Sequence, residues 1–168
     1  MTETDIRAEV EALIDARRSL QLATLTKGGE PDASYAPFVR DEDGNFYIFV
    51  SELTRHTRNL LAHPRHSVLL VEPEAESQQI FARKRVTFDC IAEVVSREDP
   101  DWKARLAAFE ARFGAVIDML SSLNDFVLFR LVPQRGRFVK GFGQAFTIDA
   151  GKIEHVSADR IKGGDTFD

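Results

Sequence analysis

The sequence predicts a mainly β, α+β fold: about six antiparallel strands curled into a small barrel, with helices at its periphery. Three observations predict it. Three strand-like runs, 20–25, 31–39 and 46–50, follow one another across short turns, as in an antiparallel meander. Three further runs rich in β-branched and aromatic residues, 85–95, 126–132 and 137–148, come later. The helical stretches fall between these runs without strict alternation, which disfavours a doubly wound parallel sheet.

The elements follow in order. Ile6, Val10, Leu13 and Ile14 recur at helical spacing, so residues 4–18 form an amphipathic helix. LQLATL (20–25) is a strand and Lys27-Gly28-Gly29-Glu30 a turn. Pro31 opens the extended run PDASYAPFV. Asp41-Glu42-Asp43-Gly44-Asn45 turns the chain into FYIFV (46–50). A short helix spans about 54–62, with Thr54 as N-cap, Leu53 as staple residue and His63-Pro64 as stop. HSVLLVE (66–72) is a strand, and an acidic connection of helical character runs to Ala82. After strand 85–95, Asp99-Pro100 starts a helix that buries Trp102, Leu106, Phe109 and Phe113. Gly114 breaks it, and AVIDMLSSL forms a second helix. FVLFRLV (126–132) is a strand, Pro133 to Gly136 a turn, and 137–148 the last long strand. Gly141 and Gly143 mark a bulge or a close backbone approach within it. The tail, 150–168, shows only a short KIEHV run.

At 168 residues the chain has the size of one domain, read as spanning 1–168. A net charge of −5 argues against general nucleic-acid binding, so any anion site is local. No apolar run reaches membrane-span length, and the acidic start MTETDIRAEVEAL is unlike a secretory signal, so the chain is read as cytoplasmic. Cys90 is the single cysteine, which excludes an internal disulfide and a cysteine-rich zinc site. His63 and His66 flank Pro64 with no third ligand nearby, and neither a Gly-x-Ser-x-Gly elbow nor a Walker loop occurs.

The stretch SELTRHTRNL poses a charge problem. A helix N-terminus favours acidic side chains, yet this one carries Arg55, His56 and Arg58. A bound anion would make the arrangement favourable; a solvated helix start balanced by Glu52 is the alternative. Arg83, Lys84 and Arg85 form a second basic group, read as a charged strand edge or a further anion contact. Ser34, Tyr35 and Pro37 sit in the second strand, where Tyr35 lines a cofactor cleft or simply packs. In Lys140-Gly141-Phe142-Gly143-Gln144, the glycines suit either a flat ring against the backbone or a bend in the strand.

Six pieces in the same order resemble the FMN-binding split barrel of the pyridoxamine 5'-phosphate oxidase superfamily, and within it the haem-utilisation HugZ/HutZ-like branch. They are LATL-x(5)-PDASYAPFV, FYIFVSELTRHTRNL, QQIFARKRVTFD, RFG-x-VID-x-L, LNDFVLFRL and GRFVKGFGQAF. The resemblance implies a six-stranded antiparallel split β-barrel, homodimeric, with ligand clefts shared between subunits and haem or FMN as cofactor. In the oxidases a Ser/Thr-Arg-Lys segment at the start of this helix holds the FMN phosphate. Thr54, Arg55 and His56 occupy it here, with Arg58 following, and His replaces Lys. Tyr35, Lys140 and Phe142 complete the cofactor-binding set. In the haem-degrading relatives a histidine after a glycine near the C-terminus ligates iron, tuned by an aspartate in the segment matching LNDF. Asp125 stands at that aspartate's place, where the resemblance implies a hydrogen bond to the iron ligand. The histidine is absent, with Gly164 or Asp165 at its expected place. His155, the one histidine of the tail, lies several residues too early; it is either an iron candidate or an exposed surface residue. The resemblance thus implies a protein that binds haem, or degrades it oxidatively, for iron release. An FMN-dependent oxidoreductase and a non-catalytic ligand-binding dimer remain the alternatives.

Overall fold

The computed structural model describes residues 1–157. Contacts gather the chain into two compact units. One holds Arg18–Leu69 and Asp89–Gln134; the other holds Met1–Arg17, Leu70–Phe88 and the described residues from Arg135 on. The architecture is α+β: nine mainly antiparallel strands and four α-helices among the described residues.

The larger unit contains β1 (Ser19–Leu25), β2 (Pro31–Pro37), β3 (Val39–Arg40), β4 (Phe46–Ser51) and α2 (Arg55–Ala62). It also contains α3 (Pro100–Phe113), α4 (Val116–Ser121) and most of β5 (Arg65–Val71), β6 (Arg85–Val95) and β7 (Phe126–Gly141). Strand order is β2-β1-β5-β6-β7-β4-β3, an open path. β1 pairs β2 from Ser19↔Pro37 to Leu25↔Pro31, and β4 pairs β7 from Phe46↔Leu131 to Ser51↔Phe126. Phe46 to Val50 are all buried, as a continuous apolar run requires of a strand covered on both faces. Phe49 is the centre of the aromatic core. Its ring meets Trp102 edge-on at 5.8 Å and Phe126 at 5.1 Å, with Phe109 at 6.3 Å. Trp102 and Phe109 are buried on α3, with Leu106 and Phe113 packed beside them, so the expected apolar face is the observed one.

The turn at 41–45 is fixed by charge. Asp41 Oδ1 accepts from the Asp43 and Asn45 amides at 3.0 Å, and Tyr47 Oη donates to its Oδ2 at 2.8 Å. Burial works against ionisation of Asp41, yet the bonds from Asn45 and Tyr47 hold its pKa below the usual carboxylate range. Arg130 donates to Tyr47 Oη at 2.8 Å, to Glu93 at 3.1 Å and to Asp101 at 2.7 Å, joining β7 to β4, β6 and α3.

The smaller unit contains α1 (Glu3–Asp15), the 3₁₀ turns Glu74–Glu76 and Ile80–Ala82, the end of β7, β8 (Gln144–Asp149) and β9 (Lys152–His155). Thr2 and Asp5 form a capping box at the start of α1, which buries Ile6, Val10, Leu13 and Ile14 as its spacing predicts. β8 pairs β7 from Arg135↔Asp149 onward and pairs β9 on its other edge.

Several boundaries differ from expectation, each for a local reason. The first helix ends at Asp15, capped by Ala16, rather than at 18. The run 31–39 breaks at Phe38, because Pro37 ends the β1 ladder and the Phe38 amide donates to Arg18 O. No turn forms at 133–136: β7 runs on to Gly141. Pro133 falls between Leu131, the last β4 partner, and Arg135, the first β8 partner, where neither of those ladders needs its missing N–H. The chain reverses instead at Gly143, whose φ of +65° suits glycine, and the expected bulge appears as a register shift between Val139 and Gly141. KIEHV supplies β9. These splits and additions make nine strands among the described residues where about six were expected, in a sheet that is not closed. Leu53 is 83% exposed and staples nothing.

Gly136 sits where a Cβ would meet the Phe88 ring at 2.8 Å and Ile148 Cβ at 3.2 Å. Gly136→Ala is expected to lower stability by about 1–3 kcal/mol through overpacking. A shift of the urea midpoint with unchanged slope is the expected result; an unchanged midpoint would mean that Phe88 yields freely.

Candidate functional site

The start of α2 is built from the loop that leaves β4. Thr54 holds the N-cap position but caps no amide with its side chain. Its hydroxyl donates to Ser51 O at 2.7 Å and lies 2.8 Å from Thr57 Oγ1. Since a hydroxyl has one proton, Thr57 is the donor in that second bond. The first-turn N–H groups thus receive no acceptor from the cap, and the first turn contains no acidic residue.

The basic residues here are not equivalent. Arg55 Nε is 3.7 Å from Asp32 Oδ2, with the Arg55 side chain largely exposed. Arg58 is exposed. His56 turns inward and is half-buried. Its Nδ1 is 2.9 Å from Ser34 Oγ, while its Nε2 is buried without a hydrogen-bond partner. Burial pushes the His56 pKa down from 6.5, partly opposed by the Asp32 carboxylate. Asp32 and Ser34 share a face of β2 by strand alternation, and both turn toward α2. Asn59, buried, donates to Asp32 Oδ2 at 2.9 Å and to Thr24 Oγ1 at 3.0 Å, fixing α2 against β1 and β2. Asp32 and Asn59 were not singled out in the sequence. The signal was present: Asp32 alternates with Ser34, and Asn59 falls on the apolar side of the helix.

Asp125 lies in the same unit. Its Oδ2 accepts from Ser51 Oγ at 2.5 Å and its backbone oxygen accepts from the Glu52 amide at 2.8 Å. Tyr35 is 65% exposed and points to the other face of β2 from Ser34, so it does not join the α2 cluster within this chain.

The remaining candidates belong to the smaller unit. Lys84, Lys140, Gly141, Phe142 and Gln144 line a cleft of about 470 Å³ with Glu72, Gln78 and Gln79. The Phe142 ring is 69% exposed there. Lys140 Nζ lies 2.5 Å from Glu9 Oε1, and Lys84 Nζ 3.8 Å from Glu9 Oε2. Arg83 donates to Glu72 O at 2.6 Å and Arg85 to Arg83 O at 2.9 Å. His155 is exposed. Its Nε2 lies 2.7 Å from Gly143 O and its ring meets Phe146 edge-on at 5.2 Å. Nε2 must donate to that carbonyl, so only Nδ1 is left for another group. Gly164 and Asp165 lie outside the described residues.

These residues fit an anionic group at the start of α2. Uncapped amides, two exposed guanidiniums and the unpartnered His56 Nε2 suit a phosphate or a carboxylate equally. His155, the iron candidate of the tail, would have only Nδ1 to offer a metal, since Nε2 is engaged by Gly143 O.

With this geometry in place, comparison with known proteins identifies the chain. The family described as Pyridoxamine 5'-phosphate oxidase matches residues 6–140, and the chain belongs to that family. Within it the chain falls in the haem-utilisation HugZ/HutZ-like branch. It is 46% identical over 143 residues to the heme oxygenase HutZ of Vibrio cholerae, covering 85% of this chain and 81% of that protein. The crystal structure of HutZ, described as a heme storage protein, superposes with a TM-score of 0.71, 44% identity and coverage of 76% and 89%. Campylobacter jejuni ChuZ gives a TM-score of 0.86 at 32% identity, over 95% of this chain and 65% of that one. The chloroplast heme oxygenase HOZ of Arabidopsis thaliana is 30% identical over 140 residues, 82% of this chain and 41% of that protein.

The lowered pKa of His56 gives stability a pH dependence. Above 6.5 both folded and unfolded chains hold the imidazole neutral, and the contribution is complete. As pH falls through 6.5 the unfolded chain takes up its proton first, so stability is lost until the folded group protonates too. Buried His66 is shifted the same way. Urea midpoints should therefore fall between about pH 7.5 and 5.5, with a shallower fall in His56→Gln. An identical slope in that variant would show that His56 is as hydrated when folded as when unfolded.

Proposed function

We propose that this protein binds haem in a haem-utilisation system, as a cytoplasmic homodimer of the split-barrel type in which residues 1–168 act as a single domain. The observation that carries the reading is the 46% identity to the heme oxygenase HutZ across 85% of this chain. The start of α2 supports it, since Arg55, Arg58 and the uncapped amides suit a propionate carboxylate. Lys140 and Phe142 are proposed ligand contacts of the smaller unit taken by itself, and Tyr35 becomes one if a partner subunit covers β2. Oxidative opening of the haem ring is the enzymatic form of this function; storage without turnover is its non-catalytic form.

FMN binding is the second reading. The family match over residues 6–140 favours it, with Thr54, Arg55 and His56 receiving the FMN phosphate and a flavin-dependent oxidoreductase activity following from it.

Titration of the purified protein with haemin and, separately, with FMN distinguishes the two. The haem reading expects a Soret band that saturates at a fixed stoichiometry, with FMN weak. FMN bound tightly with no Soret response would replace it by the second reading. Arg55→Ala should weaken the ligand that binds by about tenfold, the loss of one charge-assisted contact. Unchanged affinity in that variant removes α2 from the site. Light scattering of the same sample tests the homodimer.

A further inference from the structure

The loop that opens α2 is tied to the 121–125 segment by one side-chain contact, between Ser51 and Asp125. We propose that Asp125 and Ser51 form a latch that positions the anion-accepting first turn of α2, so that Asp125 acts on the anion end of the ligand through Ser51. The inference rests on the function proposed above.

Every polar group of Ser51 that the loop can use is engaged in fixing it. Its hydroxyl donates to Asp125 Oδ2 at 2.5 Å and accepts from the Leu53 amide at 3.1 Å. Its carbonyl accepts from both the amide and the hydroxyl of Thr54, at 3.1 and 2.7 Å. Asp125 adds a second tie, its carbonyl accepting from the Glu52 amide at 2.8 Å. Glu52, Leu53 and Thr54 are thus all anchored on Ser51 or Asp125, and Thr54 in turn meets Thr57. The three residues themselves are exposed, so burial contributes little to holding them.

The other side of the latch is rigid. Ser51 and Phe126 are register partners at the end of the β4–β7 ladder, which sets Asp125 beside Ser51. Before Asp125, Arg97 donates to Ser121 O at 3.3 Å and Leu123 O at 3.2 Å, with its guanidinium over Trp102 at 4.7 Å. The 121–125 segment therefore presents the carboxylate from a fixed platform. The hydroxyl needs an acceptor there, and an amide oxygen also supplies one, more weakly than a carboxylate. Tuning of an iron ligand would need the charge itself. That difference makes the two roles of Asp125 separable.

The test uses the full chain with Asp125→Ala, Asp125→Asn, Ser51→Ala and the double variant Asp125→Ala/Ser51→Ala. Amide hydrogen exchange of the ligand-free protein is read first. Asp125→Ala and Ser51→Ala should each speed exchange at Leu53 and Thr54 about tenfold, while amides of β4 and β7 keep their protection. Asp125→Asn should restore part of the protection. Affinity for whichever of haemin or FMN binds should fall together in the two alanine variants, with no further fall in the double variant. Unchanged exchange at Leu53 and Thr54 overturns the latch. So do additive losses of affinity, or an Asp125→Asn variant as impaired as Asp125→Ala. Binding of neither ligand by the unmodified protein overturns the functional reading alone, and the exchange pattern then still decides the latch.

Discussion

The pairing of β4 with β7 is the constraint on which the functional end of the larger unit depends. Phe46 to Val50 are all buried, and their packing sets the register: a slip of one residue would turn Phe49 away from the rings of Trp102 and Phe126. The ladder therefore ends reliably at Ser51↔Phe126. Everything that prepares α2 follows from that end point. The Ser51 hydroxyl arrives at Asp125, the Ser51 carbonyl arrives at Thr54, and the helix begins with its first amides uncapped. The aromatic packing around Phe49 stabilises the register, so the core and the site are linked through a single strand.

The charge at that helix start is less anomalous than three basic residues in sequence suggest. His56 leaves the charged set when its ring is buried against Ser34 and its pKa falls. Arg55 keeps a long contact with Asp32, at 3.7 Å and with an exposed guanidinium. Such a pair contributes about 0–1 kcal/mol, so an incoming anion can compete for Arg55 at small cost. Asp32 does not then lose its partners, since Asn59 continues to donate to it. The site thus holds two available cations around uncapped amides, with the nearest carboxylate already hydrogen-bonded from within the fold.

Much of this organisation was legible in the chain. The helical spacing of Ile6 to Ile14, the meander and the buried face of α3 follow from side-chain periodicity, which is local. Thr54 as the first residue before α2 was legible too, because His63-Pro64 bounds the helix on its other side. What could not be read is set by pairing at a distance. Pro133 looks like a turn residue until one knows that it lies between two successive ladders. KIEHV is too short to be a strand alone and becomes one because β8 has an open edge. Asn59 and Asp32 are far apart in sequence, and only the docking of α2 on β1 and β2 gives them a common role. Asp125 was singled out by resemblance, but its tie to Ser51 is a consequence of strand register.

The two groups of basic residues differ in how free their charge is, and this separates the chemistry each offers. Lys140 sits 2.5 Å from Glu9, and the same carboxylate is 3.8 Å from Lys84. An anion entering the cleft of the smaller unit would have to displace Glu9 from Lys140 while Glu72 also lines that cleft. It would gain less there than beside Arg55 and Arg58, whose guanidiniums face solvent. The cleft offers different chemistry: the exposed face of Phe142, the bare backbone of Gly141 and lysine stems whose heads are held aside. Those features suit a flat apolar group better than a charged one.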